Sequence, residues 1–249
     1  MKYLRAISAF IAASVAISVT CAGQTPDYSE YILTPKAPAT PRINGPRVYG
    51  QSPDVDFLFK IPASGERPMT FSAKGLPKGL KLDPETGIIS GRARKAGSYN
   101  VTLTATNSLG SDSKPLRLEI GEDKLLLTPP MGWSSWNCFG NTISQEHAEA
   151  MAKAFIDLGL DQYGWSYINL DDGWQYDRGG KYNAIMPNSK FPDMMGLSDY
   201  IHALGLKAGI YSDAGDNTCG SSYNKDLNGI GAGLWMHDVQ DADQYFNNW

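Results

Sequence analysis

Histidine is scarce in this 249-residue chain, with only His147, His202 and His237 present. A metal centre needs a ligand cluster, usually with imidazole in it. Two of the three fall in helix-like stretches, so no metal and no cofactor is expected. Cysteine is equally scarce, at three residues. An excess of positive charge is also missing, with 22 Lys and Arg against 26 Asp and Glu. There is no basic stripe or charge block, which makes nucleic acid a poor partner. Long apolar runs are limited to "AISAFIAASVAISV" at residues 6–19, which is short for a membrane span.

That run reads as an address. Lys2 and Arg5 precede it, and "TCAGQ" offers small residues for cleavage after Ala22 or Gly23. The reading is a cleaved export leader over residues 1–23. A lipid-bearing Cys21 is the alternative, although "SVTC" lacks the usual leucine. Export places the protein in the periplasm or outside the cell, where a disulfide can form. The mature chain keeps only Cys138 and Cys219.

What is present is ordinary for a globular protein: 42% hydrophobic and 19% charged residues, with six Trp and thirteen Tyr. Most large aromatics are core, but in a cleft they stack on sugar faces. Residues 24–41 carry prolines at 26, 35, 38 and 41 and read as a linker, with one short strand at "EYIL".

Residues 42–122 have a β pattern. In "GSYNVTLTATN", Tyr99, Val101, Leu103 and Ala105 alternate with Asn100, Thr102, Thr104 and Thr106, as in a strand with one buried face. "LRLEI" at 116–120 repeats this after a turn, and "LDPETGIISG" sets turn signals around a short strand. Short strands between turns suggest a small sandwich.

From residue 123 to 249 strands alternate with helices. "PPMGWSSWNCF" looks like a strand entering a loop. "SQEHAEAMAKAFIDLGL" (144–160) reads as a helix capped by Ser144, with Ala148, Met151, Phe155 and Leu158 on one face and Gly159 at its end. "YINLDDGW" is the next strand. A second helix covers 191–206, with Met195, Tyr200, Ile201 and Leu204 for its apolar face. "KAGIYSDAG" is a third strand, and a third helix begins at 238. Such alternation argues for a parallel sheet with right-handed crossovers.

In such folds ligands meet the C-terminal ends of the strands. Trp133 and Trp136, then Asp171, Asp172 and Trp174, then Tyr211 and Asp213 fall at three successive ends. The adjacent carboxylates Asp171 and Asp172 suit an acid and base, a metal site, a sugar clamp or a plain turn ending a strand. For Trp136 and Tyr211 the plain alternative is rim packing.

Two resemblances sharpen this. The run from "FSAKGLPKGLKLDPETG" to "GSYNVTLTATN" resembles the immunoglobulin-like domain attached to many bacterial secreted enzymes, which implies a fold and little about activity. "LTPPMGWSSWN", "YINLDDGW", "FPDMMGLSDYIHALGLKAGIYSDAG" and "TCG", in this order, resemble glycoside hydrolase family 27, the α-galactosidase family. The likeness runs from about Leu127 to the end. It implies a (β/α)₈ barrel and a retaining exo-glycosidase that needs no metal and acts on galactose-containing oligo- or polysaccharides.

The resemblance further implies that Asp171 and Asp172 bind the O4 and O6 hydroxyls of galactose. Trp136 matches a tryptophan lining the pocket beside C6, and Tyr211 a tyrosine near the reacting centre. The nucleophile and acid/base match positions on the fourth and sixth strands, beyond Trp249, so no catalytic carboxylate is assigned here. Cys219 matches a cysteine whose disulfide partner also lies beyond Trp249. A second family bridge uses a cysteine where this sequence has Gly173, so Cys138 is not assigned to it. The stretch from Pro129 onward is about half of the ~250 residues a full barrel takes. The expected fold class is therefore a small all-β immunoglobulin-like sandwich followed by α/β, the first three units of a truncated TIM barrel. The alternatives are a non-catalytic sugar-binding remnant, or a relative acting on α-N-acetylgalactosaminides, β-L-arabinopyranosides or isomaltosyl units. The long loop at 221–240 bears on that choice.

Overall fold

The computed structural model describes residues 36–249. The leader, Cys21 and the "EYIL" strand lie outside these residues.

The β module opens with β1 (Arg42–Ile43), β2 (Val48–Gln51), β3 (Phe57–Lys60) and β4 (Ala63–Ser64). It continues with β5 (Thr70–Lys74), β6 (Leu80–Leu82), β7 (Ile88–Gly91), β8 (Gly97–Asn107) and β9 (Gly110–Ile120). One sheet runs β2-β9-β8-β5 and the other β3-β7-β6. Val101, Leu103 and Ala105 of β8 and Leu116, Leu118 and Ile120 of β9 point between the sheets and are buried. Phe57, Phe59 and Ile89 meet them from the other sheet. The alternation in the sequence is thus the alternation of the two faces.

The second part has β10 (Gly132–Ser134), α1 (Trp136–Phe139), α2 (Gln145–Asp157) and β11 (Tyr167–Leu170). After these come β12 (Gln175–Gly179), β13 (Ala184–Pro187), α3 (Met194–Ala203), β14 (Lys207–Ile210), α4 (Cys219–Tyr223) and α5 (Asp238–Asn247). Strands β10, β11 and β14 form a parallel sheet in that order. Ile168 and Leu170 pack against Ala148, Ala152 and Phe155 of α2 and against Leu197 and Ile201 of α3. Ser144 caps α2, its hydroxyl accepting from the His147 N–H at 3.3 Å.

The helix faces differ from the sequence pattern. On α2 the buried residues are Ala148, Ala152 and Phe155, while Leu158 is 76% exposed. Leu158 is the C-cap, and the left-handed Gly159 turns the chain away there. On α3 the face is Met194, Leu197, Ser198 and Ile201, and Met195 is exposed. The antiparallel hairpin β12–β13 was not expected from the sequence at all.

The β module packs on the pole of the sheet where the strands begin. Lys60 forms an ion pair with Asp161 at 2.8 Å and donates to the Leu204 carbonyl at 3.1 Å. Asn44 donates to the Gln162 carbonyl at 3.0 Å. Asp161 and Gln162 lie just before β11, and Leu204 just before β14. Gly205 has φ +78°, and a Cβ there would come within 2.7 Å of the Lys60 side chain.

The Lys207 ammonium sits 4.9 Å from the Tyr49 ring of the β module and 5.2 Å from the Tyr167 ring of β11. Burial pulls its pKa down to about 8. Between that value and 10.5 the unfolded chain keeps a proton that the folded chain has released. Stability contributed by this group therefore rises with pH across that window. Urea denaturation at pH 7.5 and pH 10 checks this, because the Lys207→Met variant should lose that part of the slope. Equal slopes in both proteins would place Lys207 in solvent.

Candidate active site

The parallel sheet carries its polar residues at the ends where the strands finish. Asp171 follows β11 directly. Its Oδ2 accepts from the Ser134 hydroxyl and its backbone N–H donates to Ser135 Oγ, both at 2.9 Å. Its Oδ1 accepts from the Asp172 N–H at 2.8 Å. The Ser134 hydroxyl and the Asp172 N–H thus orient this carboxylate, while Ser135 holds its backbone. Asp171 remains half-buried, and each oxygen keeps an unused lone pair.

Asp172 is different. It is 2% exposed, and both of its oxygens are held by the backbone. Oδ1 accepts from the Gly173 N–H at 2.9 Å and Oδ2 from the Gly220 N–H at 2.6 Å. These charge-assisted bonds offset the cost of burying the carboxylate. They also tie the second strand end to the start of α4 after the third. Gly173 has φ +100°, and a Cβ there would lie 3.1 Å from the Asn141 Cα. A cysteine at this place would strain the turn, which accounts physically for the glycine.

Trp136 opens α1, two residues beyond the first strand end, and is half-buried. Tyr211 follows β14, and its hydroxyl donates to Asp213 Oδ2 at 3.1 Å. Burial first, and then its bonds with Cys219 and Asp213, push the phenol well above its ordinary range. Trp174 is fully buried, with its indole N–H on the Tyr211 carbonyl at 2.9 Å and its ring edge-on to Tyr245 and Trp249. It is a core residue that fixes the distance between two strand ends. Sequence reasoning missed Ser134, Ser135 and the Gly220 N–H, because small polar residues and backbone groups leave no pattern.

Cys138 and Cys219 are both free thiols, exposed to solvent. Cys219 Sγ donates to Asp213 Oδ2 at 3.1 Å, and this bond chiefly holds its pKa above the usual range. Because the thiolate is the reacting form, the pH midpoint for alkylation of Cys219 should lie above that of an ordinary thiol. In Asp213→Asn the charge is gone and the midpoint should fall. Peptide mass spectrometry after iodoacetamide pulses separates Cys219 from Cys138. An unchanged midpoint would contradict the bond.

Among the described residues no group of three or more His, Cys, Asp or Glu is placed to hold a metal ion. No helix there is long and apolar enough to cross a membrane.

Comparison with known proteins completes the picture. A family model described as alpha galactosidase A matches residues 128–245. This part of the chain belongs to the alpha-galactosidase family. An Ig-domain family model matches residues 17–121, beginning inside the stretch read as a leader. Alpha-galactosidase A of Cellvibrio japonicus is 42% identical over 125 residues, which is 49% of this chain and 28% of that protein. Alpha-galactosidase of Cyamopsis tetragonoloba is 39% identical over 136 residues, 54% of this chain and 31% of that protein. The crystal structure of an alpha-galactosidase-like protein from Bacteroides fragilis is 44% identical, with a TM-score of 0.77. It covers 86% of this chain and 44% of its own, so the likeness takes in the Ig-like module as well as the barrel segment. The chain spans about 30% of the length of these curated relatives. Its fold is an Ig-like domain joined to part of an alpha-galactosidase barrel.

Proposed function

We propose that this chain carries the sugar-holding side of an exported, retaining alpha-galactosidase that removes terminal α-galactosyl units from oligo- or polysaccharides. The observation that carries the reading is Asp171. It is a half-exposed carboxylate at the finishing end of a parallel strand, oriented by the Ser134 hydroxyl and the Asp172 N–H and still able to accept sugar O–H donors. Asp172 stands behind it, fixing the turn through the Gly173 and Gly220 N–H groups. Trp136 and Tyr211 flank the pair from the neighbouring strand ends.

Bond cleavage with retention needs two carboxyl groups about 5–5.5 Å apart, on either side of the glycosidic bond. Asp171 and Asp172 are neighbours on one backbone and point into their own hydrogen-bond partners, so they do not flank a bond. We assign the nucleophile and the acid/base to barrel strands other than these three, and the partner of Cys219 likewise. The 249-residue chain alone should therefore leave an aryl α-galactoside intact at the buffer rate.

Binding tests the reading directly. Galactose and glucose differ only in the direction of the C4 hydroxyl. A clamp on O4 predicts galactose at least about tenfold tighter, the equivalent of one lost hydrogen bond. Equal affinities, measured by calorimetry or by ligand-observed NMR, would remove the basis for a galactoside.

A further inference from the structure

The backbone of Tyr211 is held on both sides. Its N–H donates to the Leu170 carbonyl at 2.9 Å, and its own carbonyl accepts from the buried Trp174 indole at 2.9 Å. Leu170 and Trp174 bracket the Asp171–Asp172 turn, so the tyrosine is tied to the strand end that carries the sugar clamp. Tyr211 and Asp171 are both half-buried at the same end of the sheet.

Asp213 is held as firmly. Its carbonyl accepts from the Leu234 N–H at 2.7 Å, which pins it to the 221–240 loop. Its Oδ1 accepts from the Gly215 N–H at 2.9 Å. Its Oδ2 takes two side chains, the Tyr211 hydroxyl and the Cys219 thiol, both at 3.1 Å. The Gly215 N–H first, and then the thiol and the phenol, hold the carboxyl below its usual range. Asp213 is therefore ionised at neutral pH and can only accept.

This fixes the direction of the bond. A phenol has one proton, and Tyr211 gives it to Asp213. Only lone pairs are left on its oxygen for a ligand. A tyrosine without such a partner could turn its hydroxyl to donate or to accept.

We propose that Asp213 is a positioning residue that makes Tyr211 an acceptor-only contact, so that the bound sugar must present a free hydroxyl to it. A galactoside carrying an ether, an ester or fluorine at that position offers no proton and is rejected. Asp213 acts through the phenol. The assignment rests on the galactoside reading and adds the polarity of one contact.

The test titrates galactose and its deoxyfluoro analogues at C2, C3, C4 and C6 into wild type, Tyr211→Phe and Asp213→Asn. Fluorine replaces the hydroxyl without a proton to donate. At one ring position it should cost wild type about two- to tenfold, the range of one hydrogen bond, beyond what it costs Tyr211→Phe. In Asp213→Asn the amide oxygen keeps the Gly215 N–H and the amide nitrogen donates to the phenol, whose own proton then turns to the ligand. The fluorine penalty at that position should fall to the Tyr211→Phe value or below. A merely structural role would weaken galactose and all four analogues alike, and that result overturns the assignment. So do wild-type ratios throughout in Asp213→Asn. If Asp171→Asn still weakens galactose in either case, the galactoside reading stands without it. If Asp171→Asn leaves galactose affinity untouched, the galactoside reading fails, and Asp213 is judged without sugar. The tyrosine Raman doublet differs between donor and acceptor phenols. Taken for Tyr211 as the difference from the matching Tyr211→Phe protein, it should change in Asp213→Asn. An unchanged doublet overturns the assignment.

Discussion

Asp241→Asn is expected to lower the unfolding free energy by about 3–5 kcal/mol, the usual cost of breaking a buried ion pair from one side. Asp241 has no exposed surface and Arg178 little. The carboxylate takes both arms of the guanidinium and also the Ile185 N–H at 3.0 Å. Arg178 further donates to the Gly233 carbonyl at 2.6 Å. One pair therefore joins hairpin, loop and α5. Removing the charge of Asp241 leaves Arg178 buried without its counter-ion. Replacing both partners, as Arg178→Met with Asp241→Leu, should recover part of the loss, because the uncompensated charge is gone. The Ile185 N–H and Gly233 carbonyl then lack partners, so recovery stays incomplete. Urea midpoints of wild type and the two variants decide it. A loss under about 1 kcal/mol in Asp241→Asn would mean that the pair is solvated.

The second large effect separates the two aspartates. Asp171→Asn keeps shape and removes charge from a half-exposed group. Galactose affinity should fall about ten- to a hundredfold, since a charge-assisted hydrogen bond contributes roughly 1.5–3 kcal/mol. Stability should barely move, because the Ser134 hydroxyl is exposed to solvent and Ser135 bonds the Asp171 backbone N–H, which asparagine keeps. Asp172→Asn meets a different environment. An amide nitrogen would face either the Gly173 or the Gly220 N–H, leaving a buried donor unsatisfied at about 1–3 kcal/mol. The urea midpoint should drop in this variant and not in the other. Equal stabilities would mean that the Gly220 bond contributes nothing.

The sequence made some of this legible for clear reasons. In the β8 strand every second residue is apolar because one face is buried, so its register could be read directly. The Asp-Asp-Gly-Trp run was legible as a strand end because adjacent carboxylates cannot sit within a hydrophobic strand. The helix faces slipped because small residues decide them: Ala152 packs, while Leu158 lies past the last turn. The hairpin left no alternation, since its inward group is Arg178, a charged residue with its partner 63 positions away. Nothing in the sequence marks Asp241 as the partner of a buried arginine. Nor does it mark Lys60 and Lys207, which are enclosed only because the β module packs on the strand starts. The unequal burial of Asp171 and Asp172 depended on the Gly220 N–H, which carries no side chain to signal it.

The central claim is that Asp171 holds a sugar hydroxyl. The most direct measurement is a cycle of galactose, 4-deoxygalactose and 6-deoxygalactose against wild type and Asp171→Asn, with affinity as the readout. If the carboxylate binds O4 or O6, removing that hydroxyl costs wild type about tenfold or more and costs the variant little. The two changes are then coupled by roughly 1.5–3 kcal/mol for one of the deoxy sugars. If each deoxy sugar loses the same affinity in variant and wild type, the coupling is zero, and Asp171 is a turn that ends a strand.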